Sequence, residues 1–153
     1  MNDSTKKILE KLERQCARRE YCRSDILSKA LKCLDNDKEA AMEVTDALVS
    51  EGYVNDLRYA SAFAREKSGL TGWGPLKIRM ALCAKHIGKD IIDSALEEID
   101  GDKAEAKLRK LLEAKWKSLD GDPQAKLKLL RFALGRGYDY DGVKEIVDDI
   151  CRG

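Results

Sequence analysis

Residues 74–88 read GPLKIRMALCAKHIG, and this stretch carries the signals of one complete short helix. Pro75 follows Gly74, and proline is favoured at the first helical position because its missing N–H needs no partner there. The apolar residues that follow recur at intervals of three and four, which is the spacing of one helix face. Gly88 ends the stretch, and glycine commonly ends helices because it tolerates left-handed backbone angles.

Two other stretches have a similar layout. Residues 122–138 read DPQAKLKLLRFALGRGY, which again places a capping residue and a proline before an apolar pattern. Residues 22–34 read CRSDILSKALKCL and lack the proline. All three contain an Ala-Leu pair near the end of the pattern, at Ala30-Leu31, Ala81-Leu82 and Ala133-Leu134. A period of roughly 50 residues is typical of helical repeat proteins.

The rest of the chain also follows helical spacing. Nine segments show apolar residues at intervals of three and four, and none shows the sustained alternation of a strand. The nine segments fall into three groups of three. We therefore predict an all-α fold, an elongated, curved array of three tandem three-helix repeats. The predicted repeats cover residues 1–52, 53–100 and 101–153.

Turn residues predict where helices begin and end. We expect Gly52, Gly88 and Gly137 to end helices, and Pro123 to occupy the first position of a helix capped by Asp122. The segment GLTGWG at residues 69–74 is rich in glycine and predicts a flexible joint between two helices. The Asp-Gly-Asp sequences at residues 100–102 and 120–122 predict polar turns.

Composition limits the classes of function. Hydrophobic residues make up 43% of the chain and charged residues 37%, a balance that suits many amphipathic helices. The 29 basic and 28 acidic residues give a net charge of +1, so nucleic-acid binding would have to rest on local basic patches. No stretch is long and apolar enough for a signal peptide or a membrane span, so we expect a cytoplasmic protein with no membrane partner.

Catalytic and metal-binding signals are weak. Five cysteines are scattered without a Cys-x-x-Cys pair, which predicts reduced, small buried or half-buried thiols and no zinc site. His86 is the one histidine, and a lone imidazole at a helix end is poor evidence for a general base. The 69–74 segment lacks the Gly-Lys-Ser/Thr of a phosphate loop, and the Asp-Gly-Asp turns lack an EF-hand pattern. We therefore predict no enzyme activity, no metal and no cofactor.

Basic residues are the candidate binding groups. Positions 7, 11, 14 and 18 follow intervals of four, three and four, so they share one helix face. Basic faces on successive repeats could steer the protein toward a polyanion, although each residue taken singly also fits an ordinary solvated surface. The candidates are Lys7, Lys11, Arg14, Arg18, Arg58, Arg65, Lys77, Arg79, Lys85, Lys128, Arg131 and Arg136.

Aromatic residues divide into core and possible docking groups. Trp116 lies on an apolar stripe and is predicted to pack in the core. Trp73, within the glycine-rich segment, is a candidate docking anchor for a partner, and packing against the next repeat is an equal alternative. Tyr53 and Tyr138 each follow a glycine and are expected to lock helix junctions.

Three ordered stretches together carry a family resemblance. They are REYCRSDILSKAL at residues 19–31, GYVNDLRYASAF at residues 52–63 and GPLKIRMAL at residues 74–82. Their order and spacing resemble the RecX family of bacterial regulators of the recombinase RecA. The segment KLLRFALGRGY at residues 128–138 resembles the last repeat of that family. Two positions depart from the family pattern: His86 stands in place of a usual glycine, and Tyr138 where phenylalanine is common.

The resemblance implies a specific role. RecX proteins have tandem three-helix repeats, lie along the groove of the RecA–DNA filament, and lower ATP hydrolysis, filament extension and strand exchange. A role in recombination, DNA repair and the SOS response follows from it, with DNA contacted weakly or through the filament, and we expect a monomer. Two alternatives remain open on sequence alone: a helical module that binds nucleic acid without regard to sequence, and a helical adaptor for an unrelated protein.

Overall fold

The computed structural model describes residues 1–153 and contains nine α-helices and no β-strand, which confirms the predicted helix count and all-α class. The helices are α1 (Asp3–Arg18), α2 (Arg23–Cys33), α3 (Lys38–Ser50), α4 (Asp56–Gly69), α5 (Pro75–Ala84), α6 (Lys89–Glu97), α7 (Gly101–Ser118), α8 (Ala125–Gly135) and α9 (Tyr140–Arg152). None of them is long and apolar enough to cross a membrane.

Short polar side chains cap five helix N-termini. Each places an oxygen against backbone N–H groups of the first turn, which have no partner inside the helix. The caps are Asn2 for α1, Asp37 for α3, Asn55 for α4, Asp100 for α7 and Asp139 for α9. The first predicted Asp-Gly-Asp turn is therefore the start of α7, with Asp100 as its capping residue.

Contacts along the chain form two compact units. Unit 1 contains residues 1–61 and 82–94, and unit 2 contains residues 62–81 and 95–153. Helices α4, α5 and α6 each contribute residues to both units. This grouping cuts through helices, so it does not test the predicted sequence repeats at 1–52, 53–100 and 101–153, which stay a prediction.

The core of unit 1 lies among α1, α2 and α3. Leu12, Ile26, Val44 and Leu48 are at most 1% exposed and pack together. They recur on their helices at the three-to-four spacing read from the sequence, which places one face of each helix inward. Tyr53 packs against this core from its edge, as expected for a residue at a helix junction.

The core of unit 2 lies among α7, α8 and α9. Leu108, Leu112, Leu129 and Val143 are at most 1% exposed and form its centre. The half-buried side chains of Trp116 and Tyr138 pack against this cluster, along with Phe132 and others. The predicted packing of Trp116 against the core is therefore confirmed.

The shared Ala-Leu pair does not occupy one structural position in all three short helices. Each helix buries two residues four positions apart: Ile26 and Ala30 in α2, Ile78 and Leu82 in α5, and Leu129 and Ala133 in α8. The pair is thus shifted by one residue in α5, where leucine rather than alanine faces inward. The three helices therefore align better by their buried positions than by the shared Ala-Leu pair, because burial decides which face of a helix packs inward.

Helix α8 begins later than predicted. Its first residue is Ala125, and Pro123 lies in the preceding turn. The Asp122 carboxylate accepts a hydrogen bond of 2.8 Å from the backbone N–H of Gln124, so Asp122 closes this turn rather than capping the helix. Such local bonds from Asp to backbone favour turns over helix continuation.

The ends of α3, α5 and α8 also test the glycine predictions. Gly52 and Gly137 have φ angles of +81° and +100° just beyond α3 and α8, as predicted. At the end of α5, however, His86 has the positive φ angle, +60°, and Gly88 directly precedes α6. The prediction that Gly88 ends α5 was therefore wrong.

The glycine-rich segment after α4 is held by hydrogen bonds rather than being a loose joint. The Trp73 N–H and the Thr71 hydroxyl both donate to the Lys67 carbonyl, at 2.8 and 2.7 Å. The Gly74 N–H donates to the Arg136 carbonyl at 2.6 Å. A segment fixed at three points packs as part of unit 2.

Candidate binding surfaces

The predicted basic face of α1 lies on the surface of unit 1. Lys7, Lys11, Arg14 and Arg18 are all exposed, and none of the four forms an ion pair. We call these four residues the α1 basic face. None of these cations is neutralised by an ion pair, so this face can attract a polyanion at distances up to about the Debye length of 8–10 Å, beyond which salt screens it.

Arg58 has a different role inside unit 1. Its Nε lies 2.8 Å from both carboxylate oxygens of Glu20, and its Nη2 donates to the carbonyls of Gly52 and Tyr53 at 3.1 and 3.2 Å. These carbonyls follow the end of α3, where the helix leaves acceptors unsatisfied. Arg58 therefore joins the end of α3 to the segment before α2, and filament contact by its remaining N–H groups stays a prediction.

Three further candidates are also held by carboxylates. Arg65 lies 3.5 Å from Glu98, Lys128 pairs with Asp122, and Lys85 lies 2.8 Å from Asp25. The hydrogen bond from Lys128 is the main cause that lowers the pKa of Asp122. Pairing reduces the attraction that these cations can offer a partner, since the opposite charge is already next to them.

The Lys85–Asp25 pair belongs to a junction between the start of α2 and the end of α5 in unit 1. Burial opposes ionisation of Asp25, yet hydrogen bonds from Lys85 and Cys22, with the charge of Lys85, hold its pKa below the usual 3.8. The same hydrogen bond raises the pKa of Lys85. Beside this pair, the Ser24 hydroxyl donates to the Lys85 carbonyl at 2.7 Å, so it satisfies an acceptor at the end of α5.

A corresponding junction in unit 2 joins the start of α5 to the end of α8. The Gly74 N–H donates to the Arg136 carbonyl at 2.6 Å, and the Leu76 N–H donates to the Gly137 carbonyl at 3.0 Å. The unpaired donors of one helix start thus meet the unpaired acceptors of another helix end. A Cβ on Gly74 would lie 2.5 Å from the Gly137 carbonyl carbon, and a Cβ on Gly137 would lie 2.7 Å from the backbone nitrogen of Lys77. Only glycine fits this close backbone approach.

Trp73 lies beside this junction between two lysines. The ammonium nitrogens of Lys67 and Lys77 are 4.8 and 4.6 Å from the centroid of the indole ring, within the range of cation–π attraction. Phe63 meets the same ring edge-on at 6.1 Å. Trp73 is half-buried and packs within unit 2, while its role as a docking anchor stays a prediction.

The remaining predicted cations differ in exposure. Arg131 is exposed and forms no ion pair, whereas Arg79 is half-buried. Arg136 is half-buried, with its guanidinium carbon 5.9 Å from the Phe132 ring centroid. Its Nε is buried without a hydrogen-bond partner. Lys77 and Arg136 flank the junction in unit 2. The Arg136 carbonyl accepts from the Gly74 N–H, and the Lys77 backbone packs closely against Gly137.

Three further lysines lie near the junction in unit 2. Lys67 contacts Trp73, Lys115 lies 5.6 Å from the Phe132 ring, and the Lys107 side chain passes next to Gly72. Lys67 lies in the last turn of α4, six residues before Trp73, and this short separation is the sequence signal for their contact. Lys107 and Lys115 come from α7, and only the packing of unit 2 brings them to this surface.

No cluster of metal-binding side chains is present among residues 1–153. No group of three or more His, Cys, Asp or Glu side chains is arranged to hold a metal ion. His86 is exposed at the end of α5, and all five cysteines are free thiols. Cys83 is exposed, so the expectation that every cysteine is buried or half-buried was wrong for this residue, which lies on the outer side of α5.

Comparison with known proteins identifies the family. Two family models match the chain: the second three-helix domain of RecX at residues 55–96, and the third at residues 103–147. A regulatory protein RecX from Chromohalobacter salexigens is 33% identical over 134 residues, covering 86% of this chain and 84% of the relative. The chain belongs to the RecX family. The RecX protein of Pseudomonas putida strain KT2440 is 30% identical, with coverage of 86% and 83%.

Solved RecX structures share this fold. A crystal structure of regulatory protein RecX superposes with a TM-score of 0.85 at 23% identity, over 95% of this chain and 72% of that one. RecX from Lactobacillus salivarius gives a TM-score of 0.80 at 23% identity, over 99% and 97%. Other RecX relatives are longer: the chain spans 54% of the one from Clostridium botulinum strain Eklund 17B, to which it is 32% identical.

Proposed function

We propose that this protein is a non-catalytic regulator that binds the RecA–DNA filament and lowers recombinase activity. Its place in the RecX family supports this role, since the curated relatives are named regulatory proteins. The observation that carries the proposal is the set of cations left without carboxylate partners, on the α1 basic face and at Lys77 and Arg131. A filament of protein and DNA offers the negative charge that such surfaces attract.

Binding through these cations is expected to position the protein without reading base sequence. Lysine and arginine contacts to phosphates fix orientation on DNA but carry no base information. Lys77 and Arg136 are held by a backbone junction that only glycine permits, so their spacing is set before any partner arrives. Preformed spacing lowers the entropy that must be lost on binding.

The direct test is single-strand-DNA-dependent ATP hydrolysis by the cognate recombinase. The full chain is titrated into preformed filaments, and we expect hydrolysis to fall with increasing protein and to saturate. A rate that stays constant up to an excess over recombinase would rule out the proposal. A separate binding titration of the chain into free DNA, without recombinase, measures direct DNA binding.

A second candidate function is a nucleic-acid-binding module that needs no recombinase. The α1 basic face favours it, because four exposed cations on one helix match a phosphate backbone. It predicts tight binding to DNA alone, with an affinity that falls steeply as salt rises. Weak binding to DNA alone, together with inhibition of the recombinase, would favour the filament regulator.

A further inference from the structure

Unit 2 contains an open cleft with an apolar floor and an acidic rim. Its volume is about 490 Å³, within the range of roughly 300–1,000 Å³ typical of ligand sites. The floor is formed by Leu76 at the start of α5, Leu96 and Ile99 around the end of α6, and Leu108 and Ile146 from α7 and α9. We call this feature the acidic-rimmed cleft.

The cleft is open because small residues line its α7 and α9 sides. Gly101 and Ala104 lie on α7 and Gly142 on α9, where most helical residues would carry larger side chains. A Cβ added to Gly101 would meet nothing within 4 Å, so the space beside it is unfilled. Apolar surface left open to water in this way costs free energy unless something covers it.

Three carboxylates on the rim have no basic partner. Glu105, Asp141 and Glu145 are exposed, line the cleft and form no ion pair or side-chain hydrogen bond. Asp139 also lines the cleft, but its carboxylate caps α9 by accepting from the Gly142 N–H at 2.7 Å. Asp141 lies in the first turn of α9, where the helix dipole favours it. Glu105 and Glu145 lie beyond the first turns of α7 and α9, so the helix dipoles do not stabilise these two carboxylates.

These features together select the class of ligand. A nucleic acid would be repelled by the carboxylates, and a purely polar cation would leave the apolar floor uncovered. A peptide segment offers apolar side chains for the floor and basic side chains for the rim. We propose that the acidic-rimmed cleft binds a short segment of a partner protein in which large apolar side chains are flanked by lysine or arginine. This proposal does not rest on the filament role, although Lys77, one cation of that role, contacts Trp73, which also lines the cleft.

The test uses a synthetic peptide as the probe, fluorescein-labelled KRLLRK, and the full chain. Fluorescence anisotropy at about 0.15 M salt limits long-range attraction, since the Debye length is then about 8 Å. We expect saturable binding with a Kd on the order of 10–100 µM, as suits a small, open site. The same peptide with serine in place of leucine should bind at least about tenfold more weakly, because the floor is then uncovered.

Variants of the chain locate the site. Glu105→Lys with Glu145→Lys should weaken binding at least about tenfold, by like-charge repulsion. Glu66→Lys with Asp120→Lys is the matched control: both residues are exposed in unit 2, neither lines the cleft, and the net charge changes equally. We expect this control to lower affinity less than about threefold. Gly101→Leu, which fills the open space without a change of charge, should also weaken binding about tenfold.

Several outcomes would overturn the proposal. Absence of binding, equal binding of the serine peptide, equal loss in the two double variants, or full binding by Gly101→Leu each contradict it. Circular dichroism checks that every variant is folded. If the double lysine variant unfolds, Glu105→Gln with Glu145→Gln replaces it, and a loss below twofold would then count against the acidic rim.

Discussion

His86 shows how a single residue can meet a backbone requirement that glycine usually meets. It has a φ angle of +60° at the end of α5, where its N–H donates to the Cys83 carbonyl at 2.9 Å and the next N–H, of Ile87, donates to Leu82 at 3.3 Å. This pair of bonds is the Schellman arrangement that closes a helix. The left-handed conformation is less favourable for a residue with a Cβ, and histidine tolerates it better than most.

We therefore expect His86→Gly to stabilise the protein, because glycine adopts this φ angle without a Cβ contact. The expected gain is about 0.5–1 kcal/mol in the free energy of unfolding. Urea unfolding followed by circular dichroism measures it. His86→Ala is the control: it removes the imidazole but keeps the Cβ, so it should change stability by less than half as much. A destabilised His86→Gly variant would show that the imidazole has a structural role.

The Asp25–Lys85 pair predicts a pH dependence of stability. The folded pKa of Asp25 lies below the ordinary 3.8, so its contribution is present above that pH and is lost as pH falls through the folded value. The folded pKa of Lys85 lies above the ordinary 10.5, so its contribution is lost as pH rises beyond that value. The pair is partly exposed, which limits its worth to about 0.5–1 kcal/mol.

Asp25→Asn should therefore lower stability at pH 7 by roughly this amount and have little effect at pH 2. Urea midpoints of both proteins at the two pH values give the comparison. Asp46→Asn is a suitable control, because its pair with Arg23 is longer, at 3.2 Å, and more exposed. An equal difference at both pH values would mean that packing, and not charge, explains the effect.

At the scale of elements, helices are held together at junctions where the start of one helix meets the end of another. In unit 2 the start of α5 meets the end of α8 through two backbone hydrogen bonds, and in unit 1 the start of α2 meets the end of α5 through Ser24 and Asp25. The junction in unit 2 needs glycine at positions 74 and 137, because the two backbones approach too closely for a Cβ. The junction in unit 1 is formed through side chains instead, and no glycine is required there.

Gly74→Ala and Gly137→Ala should each destabilise the protein by about 2–3 kcal/mol or more, because the added Cβ separates the two backbones and breaks their hydrogen bonds. Gly135→Ala is the matched control. It lies on α8 two residues before Gly137, and a Cβ there meets nothing within 4 Å. It should leave stability unchanged or raise it by up to about 1 kcal/mol. Thermal unfolding compares the three, and similar losses in all would contradict the close backbone approach.

At the scale of the whole molecule, charge is balanced in total and unbalanced locally. The net charge is +1, yet the α1 basic face has no carboxylate partners and the acidic-rimmed cleft has carboxylates without basic partners. Some of the other charges are paired, as with Arg58 and Glu20 or Lys126 and Asp148. Unpaired groups keep their attraction for a partner, so these two surfaces are where partners are expected.

The sequence predicted features that depend on near neighbours. Residue spacing correctly predicted the nine helices and the exposed face of α1, because both follow from helical periodicity alone. It could not predict that Arg58 is held by Glu20, 38 residues earlier, or that Lys107 lies beside Gly72. It also missed the acidic-rimmed cleft, whose residues come from five helices. Such contacts depend on how helices pack, and no local pattern encodes them.

The most direct test of the account is inhibition of recombinase ATP hydrolysis by paired charge-reversal variants. One variant carries Lys7→Glu and Arg14→Glu on the α1 basic face, and another carries Lys77→Glu and Arg131→Glu in unit 2. The control carries Lys38→Glu and Lys110→Glu, which changes the same charge at exposed sites outside the proposed surfaces. We predict that the protein concentration for half-inhibition rises at least about tenfold for the first two variants and less than about twofold for the control. Equal half-inhibition by all three folded variants and the unaltered chain would contradict the claim that these cations bind the filament.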